Sequence, residues 1–84
     1  MNKKKVVITS ATRTAVGSLG RSLKNISGDD LGSSVISSSI KKSKIKNDDV
    51  DEVIMGQVLT GGAGQNPARQ AAMKSGIPKE KPAF

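Results

Sequence analysis

Two short apolar runs limit this chain more than any other feature: Val6-Val7-Ile8, and Val53-Ile54-Met55 carried on through Gly56-Gln57 to Val58-Leu59. Neither alternates apolar with polar residues. A nearly unbroken, β-branched run suits a strand buried on both faces, as in a parallel sheet with helices above and below. Such strands need partners on both edges and cover on both faces, and 84 residues supply little of either. A chain this short buries only about 60% of the surface its unfolded form exposes. It also has no staple, because without Cys there is no disulfide, and without His as well the usual ligands of a structural zinc are missing. Phe84 is the sole aromatic residue. The composition reads as a piece of something larger.

Between the two runs the pattern turns helical. The segment 10–26 carries Gly17 and Gly20, shows no sustained period and reads as a loop. Ser27-Gly28-Asp29-Asp30 then has the form of a helix start: the Ser27 hydroxyl can accept the backbone N–H of Asp30, and Asp30 can reach back in a shortened capping box. Asp29 and Asp30 at the positive end, with Lys41, Lys42 and Lys44 at the other, complement the helix dipole. Leu31, Val35, Ile36 and Ile40 flank a stripe centred on Gly32, Ser39 and Ser43, so the face to be buried has a small-residue middle that allows close approach. Serines at 33, 34, 37, 38 and 39 lower helix propensity, which leaves disorder as the competing reading. Residues 47–52, Asn-Asp-Asp-Val-Asp-Glu, read as a polar turn into the second apolar run. Strand, helix, strand at these spacings is a right-handed βαβ unit of a parallel sheet.

The stretch Gly61-Gly62-Ala63-Gly64-Gln65-Asn66-Pro67-Ala68-Arg69-Gln70-Ala71-Ala72 follows. Asn66 is a good N-cap and Pro67 fits the first helical position. Ala68, Ala71, Ala72 and Ser75 give that helix a flat, small face. Gly76 can take the left-handed conformation after its end, Ile77 can fold back onto Ala72, and Pro78 prevents continuation. Pro82-Ala83-Phe84 looks like the first residues of a third strand.

A strand, a glycine loop and a helix N-terminus make the general geometry for binding anions, but this loop fails both specific tests. Where the dinucleotide fingerprint needs its third glycine stands Pro67, and Gly64 is followed by Gln65-Asn66 rather than the Lys-Ser or Lys-Thr of a P-loop. A structural turn is the default. The net charge of +7 raises nucleic acid as a partner, yet the lysines are scattered and no aromatic is interleaved for base stacking. No apolar run is long enough for a signal-peptide core or a membrane span. The acidic residues sit where capping and turn formation account for most of them, and no serine has an activating partner. No catalytic, cofactor-binding or metal-ligating residue is assigned, no cofactor is expected, and a cytoplasmic location is the default.

Gly64-Gln65-Asn66-Pro67-Ala68-Arg69-Gln70-Ala71-Ala72, preceded by Asp49-Val50-Asp51-Glu52-Val53-Ile54-Met55-Gly56-Gln57-Val58-Leu59, closely resembles the thiolase family, nearest its acetoacetyl-CoA branch. Val7-Ile8-Thr9-Ser10-Ala11-Thr12-Arg13-Thr14-Ala15-Val16-Gly17 looks like that family's first strand and its continuation. The resemblance covers essentially the whole chain. It implies an α/β fold of two similar halves, each a mixed sheet between helices, with residues 1–84 as the N-terminal part of the first half: β-α-β-α and the start of a third strand. It implies an acyltransferase that condenses two acetyl-CoA molecules, or cleaves acetoacetyl-CoA, through an acyl-cysteine, in a homodimer or homotetramer. In the family the nucleophilic cysteine follows shortly after the Pro-Ala-Phe seen here, and the later histidine, second cysteine and CoA-binding loop have no counterparts in residues 1–84. The resemblance therefore implies that this chain alone is inactive, with coenzyme A thioesters as substrates of the intact enzyme and neither nucleic acid nor membrane as partner. The 84-residue chain by itself is expected to fold poorly or aggregate. A degradative 3-ketoacyl-CoA thiolase is the alternative within the family. A free-standing small basic nucleic-acid-binding module is the distant one outside it.

Overall fold

The computed structural model describes residues 4–17, 20, 22–57 and 64–84. Helix α1, Gly28–Ser43, begins at the expected cap: Ser27 is extended and its Oγ accepts the Asp30 N–H at 3.3 Å. The Asp30 carboxylate is engaged by Lys74, 44 residues away, rather than serving mainly to close the cap. The helix ends where Lys44 turns left-handed, at φ 58°, and returns its N–H to Ile40 and Lys41. Despite its serines, α1 runs for 16 residues. The reason is tertiary. Ser33 meets Ser75, the Ser39 carbonyl accepts from Ser10, and Ser43 donates to Ser10, so these hydroxyls and carbonyls have fixed partners.

The polar turn appears as a 3-10 helix, Asn47–Asp49, in which the Asp49 carboxylate accepts the Lys46 N–H at 2.9 Å. Helix α2, Pro67–Lys74, starts on Asn66 and stops as the alanine-faced reading requires. Gly76 is left-handed at φ 83°, and Ile77 returns its N–H to the Ala72 carbonyl at 3.1 Å. Ala68, Ala71, Ala72 and Ile77 are buried. Against Ala72, Ile77 and Val53 pack Ile36, Ile40, Val50, Met55 and Ala83, and this small cluster is the core. The small-residue middle of α1 is what permits it, because a Cβ built on Gly32 would lie 3.1 Å from the Ala71 Cβ.

The strands depart from expectation. Among the described residues there is no strand, only an isolated parallel bridge between Val53 and Ala83. Three backbone bonds hold it: the Val53 N–H to the Pro82 carbonyl at 2.9 Å, the Phe84 N–H to the Val53 carbonyl at 2.9 Å, and the Met55 N–H to the Phe84 carbonyl at 2.8 Å. The bridge joins residue 53 to residue 83 across α2, and no bridge joins 5–9 to 53–55 among the described residues, so the strand-helix-strand unit expected around α1 is not formed there. The first run does not behave as a doubly buried strand, since Val6, Val7 and Ile8 are 102%, 68% and 89% exposed. A strand is a property of a pair, and no described segment lies alongside residues 5–9 to accept their backbone. That segment is tied instead through side chains at its end, where Thr9 Oγ1 meets Ser43 Oγ at 2.8 Å. Val58, Leu59 and the first three residues of the glycine loop, 61–63, lie outside the described residues. No described helix is long and apolar enough to cross a membrane.

Candidate functional site

The richest convergence of polar side chains lies where α2 faces the returning segment 79–84. Gly64 at φ 85° and Asn66 at φ 44° both take left-handed backbone, turning the chain sharply into α2. Asn tolerates that conformation better than most residues, which is one reason it suits the position. Its side chain then acts in two directions: Oδ1 accepts the Arg69 N–H at 3.1 Å as the helix cap, and Nδ2 donates to the Ala83 carbonyl at 2.9 Å. One turn on, the Arg69 guanidinium forks, giving Nη1 to the Lys81 carbonyl at 3.0 Å and Nη2 to the Lys79 carbonyl at 2.6 Å. Gln70 Nε2 closes the loop by donating to the Gln65 carbonyl at 2.9 Å.

These donors are spent on the chain's own carbonyls. Pro67 brings no N–H to the helix start, and the Arg69 N–H is taken by Asn66, so the described part of the loop acts as a turn and a bracket. The Asn66 cap was legible from sequence. The Asn66 bond to Ala83 and the Arg69 fork were missed, because their acceptors sit 10 to 17 residues away at carbonyls whose position depends on where the chain returns.

A second cluster joins the other end of α2 to the start of α1. The Lys74 ammonium lies between the carboxylates of Asp29, which is buried, and Asp30, whose Oδ1 is 2.6 Å away. The Lys74 hydrogen bond, aided by the Ser27 hydroxyl, holds both carboxylates below their ordinary 3.8. The two carboxylates in turn raise Lys74 above 10.5, the bond to Asp29 contributing most. Next to it Ser75 Oγ bonds the Ala71 carbonyl at 2.8 Å and the Ser33 carbonyl at 3.1 Å. Asn47 Nδ2 reaches the carbonyls of Ser75 and Gly76 at 3.3 and 3.1 Å. Both clusters fasten elements together. Among the described residues no three acidic side chains converge as metal ligands, and the chain contains neither Cys nor His.

Comparison with known proteins places this arrangement. The sequence profile of the family described as "Thiolase, N-terminal domain" matches residues 6–84. An acetyl-CoA acetyltransferase of Cupriavidus necator is 56% identical over 79 residues, covering 94% of this chain and 20% of the relative. One of Clostridioides difficile is 51% identical over 81 residues, covering 96% of this chain and 76% of that sequence. Among solved structures, a thiolase of Ascaris suum in complex with coenzyme A superposes with a TM-score of 0.78 at 39% identity, over 80% of this chain and 18% of its own. The chain thus spans about a fifth of the length of most of the curated relatives it matches.

Proposed function

The chain belongs to the thiolase family, whose N-terminal domain matches it from residue 6 to residue 84, and from that premise we propose that it is the N-terminal part of an acetyl-CoA C-acetyltransferase. The observation that carries this reading is sequence identity near one half with enzymes of that name over nearly the whole chain. The proposed reaction is the reversible Claisen condensation of two acetyl-CoA molecules, with thiolytic cleavage of acetoacetyl-CoA as its reverse. It needs a thiolate to carry the acyl group, a base for the α-proton and donors for the thioester oxyanion. This chain has no Cys and no His, so in our reading the remainder of the thiolase fold supplies those groups and residues 1–84 alone do not turn over substrate.

The part we assign to residues 1–84 is architectural. Residues 5–9, 53–59 and those from Pro82 onward are proposed as three strands of the family's mixed sheet, with α1 and α2 as the crossovers between them. The parallel bridge at Val53 and Ala83 supports the second and third of these. The exposed Val6, Val7, Ile8, Ile54 and Phe84 are proposed to be covered by the rest of the fold and by a homo-oligomeric partner, in a cytoplasmic enzyme.

A graft tests this reading. Residues 6–84 are joined to the remainder of the Cupriavidus necator acetyl-CoA acetyltransferase, and acetoacetyl-CoA thiolysis is followed. Turnover by the graft, with none by the 84-residue chain, is the expected result. A soluble, folded graft without turnover counts against it, and a marked preference for a longer ketoacyl-CoA would move the assignment to a degradative thiolase.

A further inference from the structure

We propose that Asn66 and Arg69 are positioning residues that set the register in which residues 82–84 pair with residues 53–55. The observation is an alternation of carbonyls along the returning segment. Those of Lys79, Lys81 and Ala83 accept from α2 side chains, two from Arg69 and one from Asn66. Those of Pro82 and Phe84, between and beyond them, accept from the N–H groups of Val53 and Met55. At residues 82–84 the pairing is that of extended chain, where successive carbonyls point to opposite edges, so Asn66 holds one edge at Ala83 and residues 53–55 the other. The turn at 79–81, closed by the Lys81 N–H to the Pro78 carbonyl at 3.0 Å, presents its Lys79 and Lys81 carbonyls to Arg69. Asn66, the left-handed cap, and Arg69, in the first turn of α2, both reach the returning segment.

Beyond these bonds the segment is held by Ala83 against the core and by the Lys81 N–H to the Pro78 carbonyl at 3.0 Å, which closes a turn without choosing a partner for 82–84. Pro78 and Pro82 have no N–H to give, and a pairing of one bridge is marginal alone. Sliding residues 82–84 by one would bring the Pro82 carbonyl toward α2, send that of Ala83 toward residues 53–55, turn each side chain of the pairing to the other face and pull the 79–81 turn off Arg69. The fork of Arg69 and the Nδ2 of Asn66 would then be left without acceptors, and an unmade hydrogen bond costs more than a made one contributes. Register is therefore chosen from the α2 side. The consequence for catalysis rests on the function proposed above: whatever group follows Phe84 in a thiolase is aimed by this register. The register itself does not depend on that reading.

Asn66→Asp separates the two jobs of Asn66, because the carboxylate still caps Arg69 but cannot donate to Ala83. Arg69→Met keeps the aliphatic stem and removes the fork, and Arg69→Lys keeps a donor for one of the two carbonyls. The readout, on the isotopically labelled 84-residue chain kept compact by sulfate and low concentration, with dispersed amides showing α1 and α2 formed, is scalar coupling across hydrogen bonds together with amide exchange. In the wild type we expect couplings from Val53 N to Pro82 C′ and from Met55 N to Phe84 C′. In Asn66→Asp and Arg69→Met these vanish or move to other carbonyls, and exchange at Met55 and Phe84 quickens by up to about tenfold per bond lost. The amides of Gln70 in α2 and Ser75 at its C-terminal cap stay within about a factor of two. Arg69→Lys restores part of the effect. Unchanged couplings in Asn66→Asp, equal loosening throughout α2, or no couplings in the wild type would each overturn the proposal. No turnover is measured, so this result and that of the graft are independent.

Discussion

Gly32 and Gly76 carry opposite demands on backbone and space. A Cβ on Gly32 would lie 2.9 Å from Met55 Cε and 3.1 Å from Ala71 Cβ. The methionine end can swing away, but the alanine is fixed to the backbone of α2. Gly32→Ala gains about 1 kcal/mol of helix propensity and incurs about 1–3 kcal/mol of overpacking, so a net loss near 1 kcal/mol is expected. Gly76 is held at φ 83°, and an added Cβ would lie 2.8 Å from Asn47 Nδ2. Gly76→Ala should therefore cost about 1 kcal/mol in backbone strain, plus about 1 kcal/mol for the disturbed Asn47 bonds. Urea midpoints of the graft at constant slope check both. The same tightness makes Ala71→Leu and Ala72→Leu structural lesions, since the two alanines are 0% and 1% exposed. In a grafted enzyme they should impair stability or assembly before chemistry, with a loss of about 1–3 kcal/mol.

At the scale of elements, the two helices are joined by a charge cluster that also suits both helix dipoles, with Asp29 and Asp30 at the start of α1 and Lys74 in the last turn of α2. The carboxylates are lowered below 3.8, so their contribution is present above that pH and is lost as pH falls through their depressed values. Lys74 is raised above 10.5, so its contribution is present below that pH and is lost as pH rises through the raised value. Stability should be level between about pH 5 and pH 10 and decline on either side. Lys74→Met should lower the plateau and flatten both declines, and high salt should reproduce part of the loss in the wild type. Thermal melts of the graft across that range, with and without Lys74→Met, provide the check. The caps of α1 and α2 and the glycine stop after α2 were legible in the sequence, because each is written within a few residues. The Lys74 cluster was not, since Asp29 and Asp30 already had a sufficient local explanation as dipole partners.

Over the whole molecule, order is uneven. Residues 28–57 and 64–84 share the core of Val53, Ala72 and Ile77, while Val6, Val7, Ile8 and Val16 lie in the open. Stability of that kind is local, so exchange and proteolysis should divide the chain. We expect amides 4–9 to exchange at nearly unstructured rates and limited proteolysis to cut first within 4–17. The amides of Ile36, Ile40 and Ser75 should exchange slowest. Mass-spectrometric exchange on the 84-residue chain measures this, and slow exchange at residues 6–8 would show that the first run has found a partner.

By itself the sequence determined where both helices start and where α2 stops, which of their faces are small enough for close packing, and which family the chain belongs to. Those features are local: a cap reaches three residues, a left-handed glycine one, and a motif is contiguous. Tertiary structure alone decided which apolar run would pair, where the Arg69 fork would land, and what would neutralise Asp29 and Asp30. These contacts join residues 10 to 45 positions apart, and each depends on the path of the intervening chain. Two apolar runs of one pattern thus had two outcomes: Val53 met a returning backbone with carbonyls free on the correct edge, and Val6, Val7 and Ile8 met none among the described residues.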